Sequence, residues 1–192
     1  MPYDYDVFFS YKRDPRTLDW HRRVKDQLQF WLTQEIGGNE ARIFVDEQSI
    51  ETGDHWPEAL QDALLKSKCL VCIWSPEYFQ SPWCLSEWKN FCEREALLGL
   101  TPHGLIAPIR YHDGDHFPEE ARITQMRDFS RHTSLLPAFW NTDRAVELGD
   151  LIREFAREVA QIIERAPEFD PSWPLAPITA KPADKKIGLA QL

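Results

Sequence analysis

Short apolar runs recur along the chain and alternate with longer segments whose apolar residues repeat every three or four positions. Such runs are typical of buried parallel strands, and such segments are typical of helices that cover a sheet. The predicted strands are residues 6–10, 43–45, 69–74 and 105–109, with a weaker fifth at 128–133. The alternation predicts an α/β domain with a central parallel sheet of four to five strands.

Capping residues mark where the helices begin and end. Residues 75–76 and 81–82 are both Ser-Pro, a Ser cap followed by Pro at the first helical position. We expect the helix after residue 82 to end near Gly99, since glycine commonly ends helices. Apolar residues at helical spacing between 146 and 163 predict the last helix.

The C-terminal residues have a different character. Residues 167–192 contain several prolines and a polar stretch at 181–186, which indicates an extended segment. The predicted domain therefore covers residues 1–166, and residues 167–192 are interpreted as a Pro-rich tail or a linker.

Composition and charge indicate a folded domain that is not expected to bind nucleic acid or anionic membranes. The chain has 192 residues, of which 43% are hydrophobic, enough for one folded domain with a sizeable core. Its formal net charge is −9, and its Lys and Arg residues form no extended cluster. Nucleic acid and anionic membranes attract clustered cations, so neither is an expected partner.

The first residues lack the basic and apolar regions of a signal peptide. No apolar run approaches the roughly 18 residues of a transmembrane helix. The four cysteines all lie in segments interpreted as interior, which suits reduced thiols. We expect a cytoplasmic protein.

Several short motifs follow one another in a fixed order. Residues 5–11 read YDVFFSY, and Phe44-Val45-Asp46 is followed by Gly53 and Trp56. Further along are CIWS at 72–75, WCLSE at 83–87 and IAPI at 106–109. In this order the motifs resemble the Toll/interleukin-1 receptor (TIR) domain family over about residues 3–165. The resemblance implies a flavodoxin-like three-layer fold, in which ligands bind outside the carboxyl ends of the strands.

Some TIR domains are signalling adaptors, whereas others cleave NAD at the bond between nicotinamide and ribose. The second group carries Trp-x-x-x-Glu on the helix after the third strand, and here Trp83 and Glu87 match that position. A spacing of four places both side chains on one helix face. The same pattern occurs at Trp31 and Glu35 in the first helix, where we interpret it as structural.

The chemistry of this cleavage needs little beyond one carboxylate. Nicotinamide leaves NAD as a neutral molecule, and positive charge develops on the ribose as in glycoside cleavage. A carboxylate near that carbon stabilises the charge, which is the catalytic role we assign to Glu87, and the alternative role is that of a nucleophile. Trp83 would supply an aromatic face for the ring. NAD is thus the expected substrate, and no cofactor is expected.

Other candidate substrate-binding residues follow the first two predicted strands. Phe9, Ser10, Lys12 and Arg13 lie at the end of the first strand, and the resemblance implies that the basic pair meets phosphate. The alternative is an ordinary surface Lys-Arg pair. Asp46 ends the second strand and is a candidate either for binding ribose or for capping the loop.

The resemblance also implies that the loop at residues 47–55 joins neighbouring copies and completes the site. Some NAD-cleaving relatives have Lys near position 49, where this chain has Ser49, so the orientation of the substrate and the product stay open.

The leading hypothesis is a TIR NAD glycohydrolase or cyclase of antiphage-type innate immunity, activated by self-assembly. It would deplete NAD or produce an ADP-ribose-type signal for a downstream effector. A non-catalytic adaptor, acting only by TIR–TIR contacts, is the first alternative, although it has no need of Trp83 and Glu87 together. The second alternative is a nucleoside deoxyribosyltransferase, which would accept nucleosides and ignore NAD.

Other motifs point to no further chemistry. Cys69 and Cys72 lie three apart on a predicted strand, so they face opposite sides and cannot chelate one metal. The HDGDH sequence at 112–116 is metal-like but falls in a loop that varies within the family, and no metal site is predicted. Phosphate-binding glycine loops are absent from the sequence. Ser10 and Ser75 have no His at a spacing that indicates a serine hydrolase.

Overall fold

A five-stranded, all-parallel sheet forms the centre of the protein, in the order β2-β1-β3-β4-β5. The computed structural model describes residues 2–46, 56–100 and 104–175. The strands are β1 (Tyr5–Tyr11), β2 (Ile43–Val45), β3 (Ser67–Trp74), β4 (Ile106–Arg110) and β5 (Arg127–Asp128). The helices are α1 (Leu18–Glu35), α2 (Trp56–Leu65), α3 (Pro76–Gln80), α4 (Pro82–Leu98), α5 (Glu119–Arg122) and α6 (Asp143–Glu164). Two 3₁₀ turns lie at Ser130–His132 and Pro137–Asn141.

Successive strands are added on one side of β1 and then on the other, so the order of the sheet changes direction between β1 and β3. The chain passes from β1 outward to β2, and then returns past β1 to form β3. Helices leave β1 and β3 on opposite faces, so a crevice opens at the carboxyl ends of these two strands. Ser10 lies beside Cys72 in the register of this pair, close to that crevice.

Each face of the sheet has its own hydrophobic core. Alternate β3 residues point to opposite faces, and Cys69 belongs to the core beneath α1 and α6, whereas Cys72 belongs to the core beneath α2 and α4. Both thiols are fully buried. The prediction that these cysteines face opposite sides is confirmed.

The four strong strands and the flavodoxin-like architecture agree with the sequence-based prediction, but the fifth strand is shorter. β5 contains two residues, and Ser130–His132 forms a 3₁₀ turn instead of continuing the strand. The Asp128 carboxylate accepts hydrogen bonds from the backbone N–H and the hydroxyl of Ser130. This local turn competes with the strand and ends it.

The segment after α6 folds back onto the domain. Trp173 is 5% exposed, and the Arg94 guanidinium lies 4.5 Å from the centre of its ring. The Tyr3 hydroxyl donates to the Pro167 carbonyl at 2.8 Å. The first residues of the expected tail, 167–175, therefore pack against the domain, and residues 176–192 lie outside the described part of the chain. Within the described ranges, no helix combines the length and apolar character needed to cross a membrane.

Candidate functional site

A cavity of about 210 Å³ lies where β1 and β2 end and α4 begins. Its lining includes all seven residues that the sequence singled out for binding or catalysis. They are Phe9, Ser10, Lys12, Arg13, Asp46, Trp83 and Glu87. β1 contains Phe9 and Ser10 and is followed by Lys12 and Arg13, whereas Asp46 follows β2. The other two residues lie in α4.

The start of α4 is fixed by its capping residues. The Ser81 hydroxyl accepts a hydrogen bond from the Cys84 backbone N–H, and Pro82 occupies the first helical position. This start places Trp83 in the first turn and Glu87 in the second, one above the other on the face that lines the cavity. α4 ends where Gly99 adopts a left-handed conformation with φ of 65°, as predicted.

Glu87 is a buried carboxyl, with 3% of its surface exposed. The Ser10 hydroxyl donates to Glu87 Oε2 at 2.5 Å. Burial raises the pKa of Glu87 to about 8, and the hydrogen bond from Ser10 opposes that rise. A raised pKa of this kind is typical of functional carboxyl groups in clefts.

Tyr78 forms a further hydrogen bond, to the Ser10 hydroxyl that contacts Glu87. Its ring is fully buried, and its hydroxyl lies 3.0 Å from Ser10 Oγ. Both groups are hydroxyls, so either one is able to donate in this second hydrogen bond. The sequence does not indicate this role of Tyr78, because a contact across 68 residues leaves no signal in local spacing.

Trp83 is half-buried at the mouth of the cavity. Its indole N–H is shielded from solvent and completes no hydrogen bond within the described residues. It nevertheless lies near enough to the carboxylate to lower the pKa of Glu87, a smaller effect than the burial that raises it. The indole therefore offers both an apolar wall and a donor beside the carboxyl.

Arg13 and Asp46 form an ion pair across the carboxyl ends of β1 and β2, with Arg13 Nη2 2.9 Å from Asp46 Oδ1. The two residues predicted to contact the substrate thus hold each other in place. Asp46 raises the pKa of Glu87 and Arg13 lowers it, both less than burial does. Lys12 has no ion pair within the described ranges, and the predicted self-association loop at 47–55 lies outside them.

The arrangement restricts what chemistry the cavity supports. Ser10 is hydrogen-bonded to Glu87 and Tyr78, and among the described residues no His is hydrogen-bonded to it, so these residues do not form the geometry of a serine hydrolase. Nowhere in the described part of the chain do three His, Cys, Asp or Glu side chains converge as a metal site requires. What lies beside the cavity is one buried carboxyl with an aromatic neighbour.

Comparison with known proteins decides the family. Residues 7–139 match the family model described as TIR domain. The chain belongs to the TIR domain family. The match begins within β1 and ends within the second 3₁₀ turn, so it includes all seven site residues of this TIR domain.

The chain is also similar to solved TIR domains at low sequence identity. One such structure is that of the TIR domains in the activated Roq1 resistosome, which directly recognises the pathogen effector XopQ. The sequences are 22% identical, the match covers 83% of this chain and 85% of that chain, and the TM-score is 0.41. Another is the TIR domain of the Toll-related receptor TRR-2 from Hydra magnipapillata. It is 24% identical, the match covers 75% of this chain and 98% of that chain, and the TM-score is 0.41. No curated protein matches the chain.

Proposed function

We propose that this TIR domain cleaves NAD at the bond between nicotinamide and ribose, with Glu87 as the catalytic carboxylate. The observation that carries the proposal is the carboxyl of Glu87, which is buried beside the cavity at the start of α4 and held by Ser10. A buried carboxyl that must ionise is costly unless a positive group approaches it. The nicotinamide ring of NAD carries such a charge.

In the proposed reaction the C–N bond to nicotinamide breaks, and its electron pair leaves with neutral nicotinamide. The ribose carbon becomes oxocarbenium-like, and the buried Glu87 carboxylate stabilises its charge. Attack by water then gives ADP-ribose and a proton. Attack by a group of the same molecule would give a cyclic product instead.

The positive charge of the bound substrate favours the ionised form of Glu87, which is the reactive form. A cationic ring beside the carboxyl favours the ionised state, so substrate binding lowers the pKa of Glu87 from its raised value. The cavity thus holds the carboxyl largely protonated until the substrate supplies the positive charge. Trp83 packs beside the ring, and Lys12 lies near the phosphates.

We further propose that the reaction depletes NAD or yields an ADP-ribose-type signal for a downstream effector in antiphage-type innate immunity. Self-assembly through TIR–TIR contacts that include residues 47–55 would activate it. An adaptor acting through contacts alone would have no use for a buried carboxyl beside a cavity.

The test is to incubate the purified protein with NAD, both dilute and concentrated on a resin, and to follow nicotinamide by chromatography. Release of nicotinamide with ADP-ribose or a cyclic isomer supports the proposal, and the co-product identifies the reaction. If the resin-bound protein releases none, the adaptor interpretation replaces this one. Base release from deoxynucleosides, with NAD left intact, would indicate a deoxyribosyltransferase.

A further inference from the structure

The indole N–H of Trp83 is a hydrogen-bond donor that the structure leaves without an acceptor. Its Nε1 atom is shielded from solvent and has no hydrogen-bond partner among the described residues. A buried polar group of this kind costs free energy and is uncommon in folded proteins. Because Trp83 lies in the wall of the cavity beside Glu87, its N–H points to a state of the site in which an acceptor is present.

Helix geometry brings this donor toward the carboxyl. Trp83 and Glu87 lie four residues apart in α4, so their side chains share one face of the helix. Side chains in a helix tilt toward its amino terminus, which directs the Glu87 carboxyl to the turn that carries Trp83. The N–H lies close enough to lower the pKa of Glu87, although it does not complete a hydrogen bond in the structure. A rotation of the side chains would join the two groups.

The number of hydrogen bonds that Glu87 accepts depends on its protonation state. A neutral carboxyl uses one oxygen as a donor, whereas an ionised carboxylate only accepts and offers about four positions. Ser10 fills one of these positions, at Oε2. Burial raises the pKa of Glu87 to about 8, so the neutral form predominates at neutral pH. Ionisation inside the protein therefore requires a further donor.

The other groups around Glu87 are engaged elsewhere or donate weakly. The titratable residues that share its cavity or its core are Tyr78 in α3, Cys72 in β3, Cys84 in α4, Asp46 after β2, and Lys12 and Arg13 after β1. The Tyr78 hydroxyl is bonded to Ser10, and Arg13 donates to Asp46. Burial raises the pKa of both thiols, which are weak donors. Lys12 forms no ion pair with the carboxyl within the described ranges.

We propose that Trp83 is a positioning residue whose indole N–H donates to Glu87 once the carboxyl is ionised, and that it holds the carboxylate toward the ribose together with Ser10. The proposal rests on the proposed function, since the cationic substrate is what ionises Glu87. Donors on both sides of a carboxylate fix its orientation, and pre-orientation of the reacting groups is a large part of catalysis. Because the N–H bonds only the ionised form, it favours the reactive state over the neutral one.

Replacement of a single group isolates the N–H from the rest of the ring. 3-Benzothienylalanine at position 83, introduced by stop-codon suppression, keeps the shape of the ring and has sulfur in place of the N–H. Titration of the Glu87 carboxyl carbon in NMR spectra, without NAD, is the measurement. The midpoint is expected to rise by about one pH unit, because the ionised form loses a donor.

Two matched proteins serve as controls. 5-Fluorotryptophan at position 83 keeps both the ring and the N–H, so the midpoint of Glu87 should stay near that of the wild type. Trp31 also precedes a glutamate by four positions, but it lies in α1. 3-Benzothienylalanine at position 31 should leave the midpoint of Glu87 unchanged. Thermal unfolding establishes that each protein is folded.

The indole resonance reports the same event in the wild-type protein. Trp83→Phe identifies the N–H signal of Trp83 in NMR spectra. This signal is expected to move downfield as the pH rises through the midpoint of Glu87, because a donor to a carboxylate is deshielded. In Glu87→Gln the signal should no longer move over this range.

An unchanged Glu87 midpoint in the folded benzothienylalanine protein would overturn the proposal, and so would a Trp83 signal that ignores the ionisation of Glu87. If the benzothienylalanine protein does not fold, the indole signal of the wild type decides. Both readouts are taken without NAD, so their failure is distinct from a failure of the wild type to release nicotinamide, which counts against the proposed function itself.

Discussion

The Ser10 hydroxyl donates to the Glu87 carboxylate at 2.5 Å, although the two residues are 77 positions apart. Ser10 lies near the end of β1 and Glu87 lies in the second turn of α4, so the strand order of the sheet creates the contact. The Tyr78 hydroxyl is hydrogen-bonded to Ser10 Oγ in turn. Three buried groups thus form one hydrogen-bonded chain that ends at the cavity, and this chain orients the carboxyl.

The chain of hydrogen bonds predicts a shift in the pH dependence of NAD cleavage. Glu87 acts as a carboxylate, and burial raises its pKa to about 8, so kcat/KM is expected to rise as the pH increases through this value. Ser10→Ala removes the hydrogen bond that favours the ionised form, so the rise should move to higher pH. Tyr78→Phe should cause a smaller shift in the same direction.

The pH profile of kcat/KM for nicotinamide release is the measurement, supported by the titration of the Glu87 side-chain carbon in NMR spectra. Cys84→Ser, next to the cavity but outside the hydrogen-bonded chain, is the control. Profiles that differ only in height, with an unchanged midpoint in Ser10→Ala, would show that Ser10 does not act through the ionisation of Glu87.

The same carboxyl predicts a pH-dependent stability. A Glu in an unfolded chain titrates near about 4.3, whereas Glu87 in the folded protein titrates near 8. Between these values the folded state binds more protons, so the free energy of unfolding falls as the pH rises, by up to about 1.4 kcal/mol per pH unit. The loss is complete above the folded pKa.

Glu87→Gln should remove this dependence, because the amide does not ionise. Urea unfolding of the two proteins at pH 5 and pH 9 measures it. We expect the variant to gain stability relative to the wild type at pH 9. A difference between the proteins that is the same at both pH values contradicts the raised pKa.

The burial of Trp173 in the C-terminal segment predicts that its side chain stabilises the fold. This side chain covers the guanidinium of Arg94, which is 1% exposed and donates to the carbonyls of Leu64 and Ser67. Trp173→Ala is expected to lower the free energy of unfolding by about 3 kcal/mol, as for other buried aromatic residues. Trp173→Phe should cost less, since a ring still faces Arg94.

Chemical denaturation measures these changes, with Leu136→Ala as the surface control. Leu136 is 69% exposed, so its truncation should change stability by less than about 0.5 kcal/mol. Since Trp173 packs near the start of β3, away from the carboxyl edge, NAD cleavage should be retained. A Trp173→Ala protein as stable as the wild type would mean that the segment contributes nothing to the fold.

Much of the fold could be predicted from the sequence, because its signals are local. Four strands are continuous apolar runs, and α4 carries both a Ser-Pro start and a terminal Gly99. The position of Glu87 relative to Trp83 follows from helix geometry alone. The order of the family motifs distinguishes this pair from Trp31 and Glu35.

What could not be predicted depends on distant contacts. The burial of Glu87, its bond to Ser10 and the ion pair between Arg13 and Asp46 arise only when separate strands meet at the sheet edge. The short β5 reflects a turn at Asp128 that offsets strand propensity. The Pro-rich composition of the C-terminal segment indicates an extended chain and gives no sign that Trp173 packs on Arg94.

The most direct test compares nicotinamide release from NAD by resin-bound wild type, Glu87→Gln and Glu35→Gln. Both glutamates follow a Trp by four positions, but Glu35 lies on the surface and pairs with Arg157. The account predicts that Glu35→Gln releases nicotinamide like the wild type, while Glu87→Gln loses roughly 100-fold or more of the rate. Equal release by wild type and Glu87→Gln would contradict the assignment of Glu87 as the catalytic carboxylate.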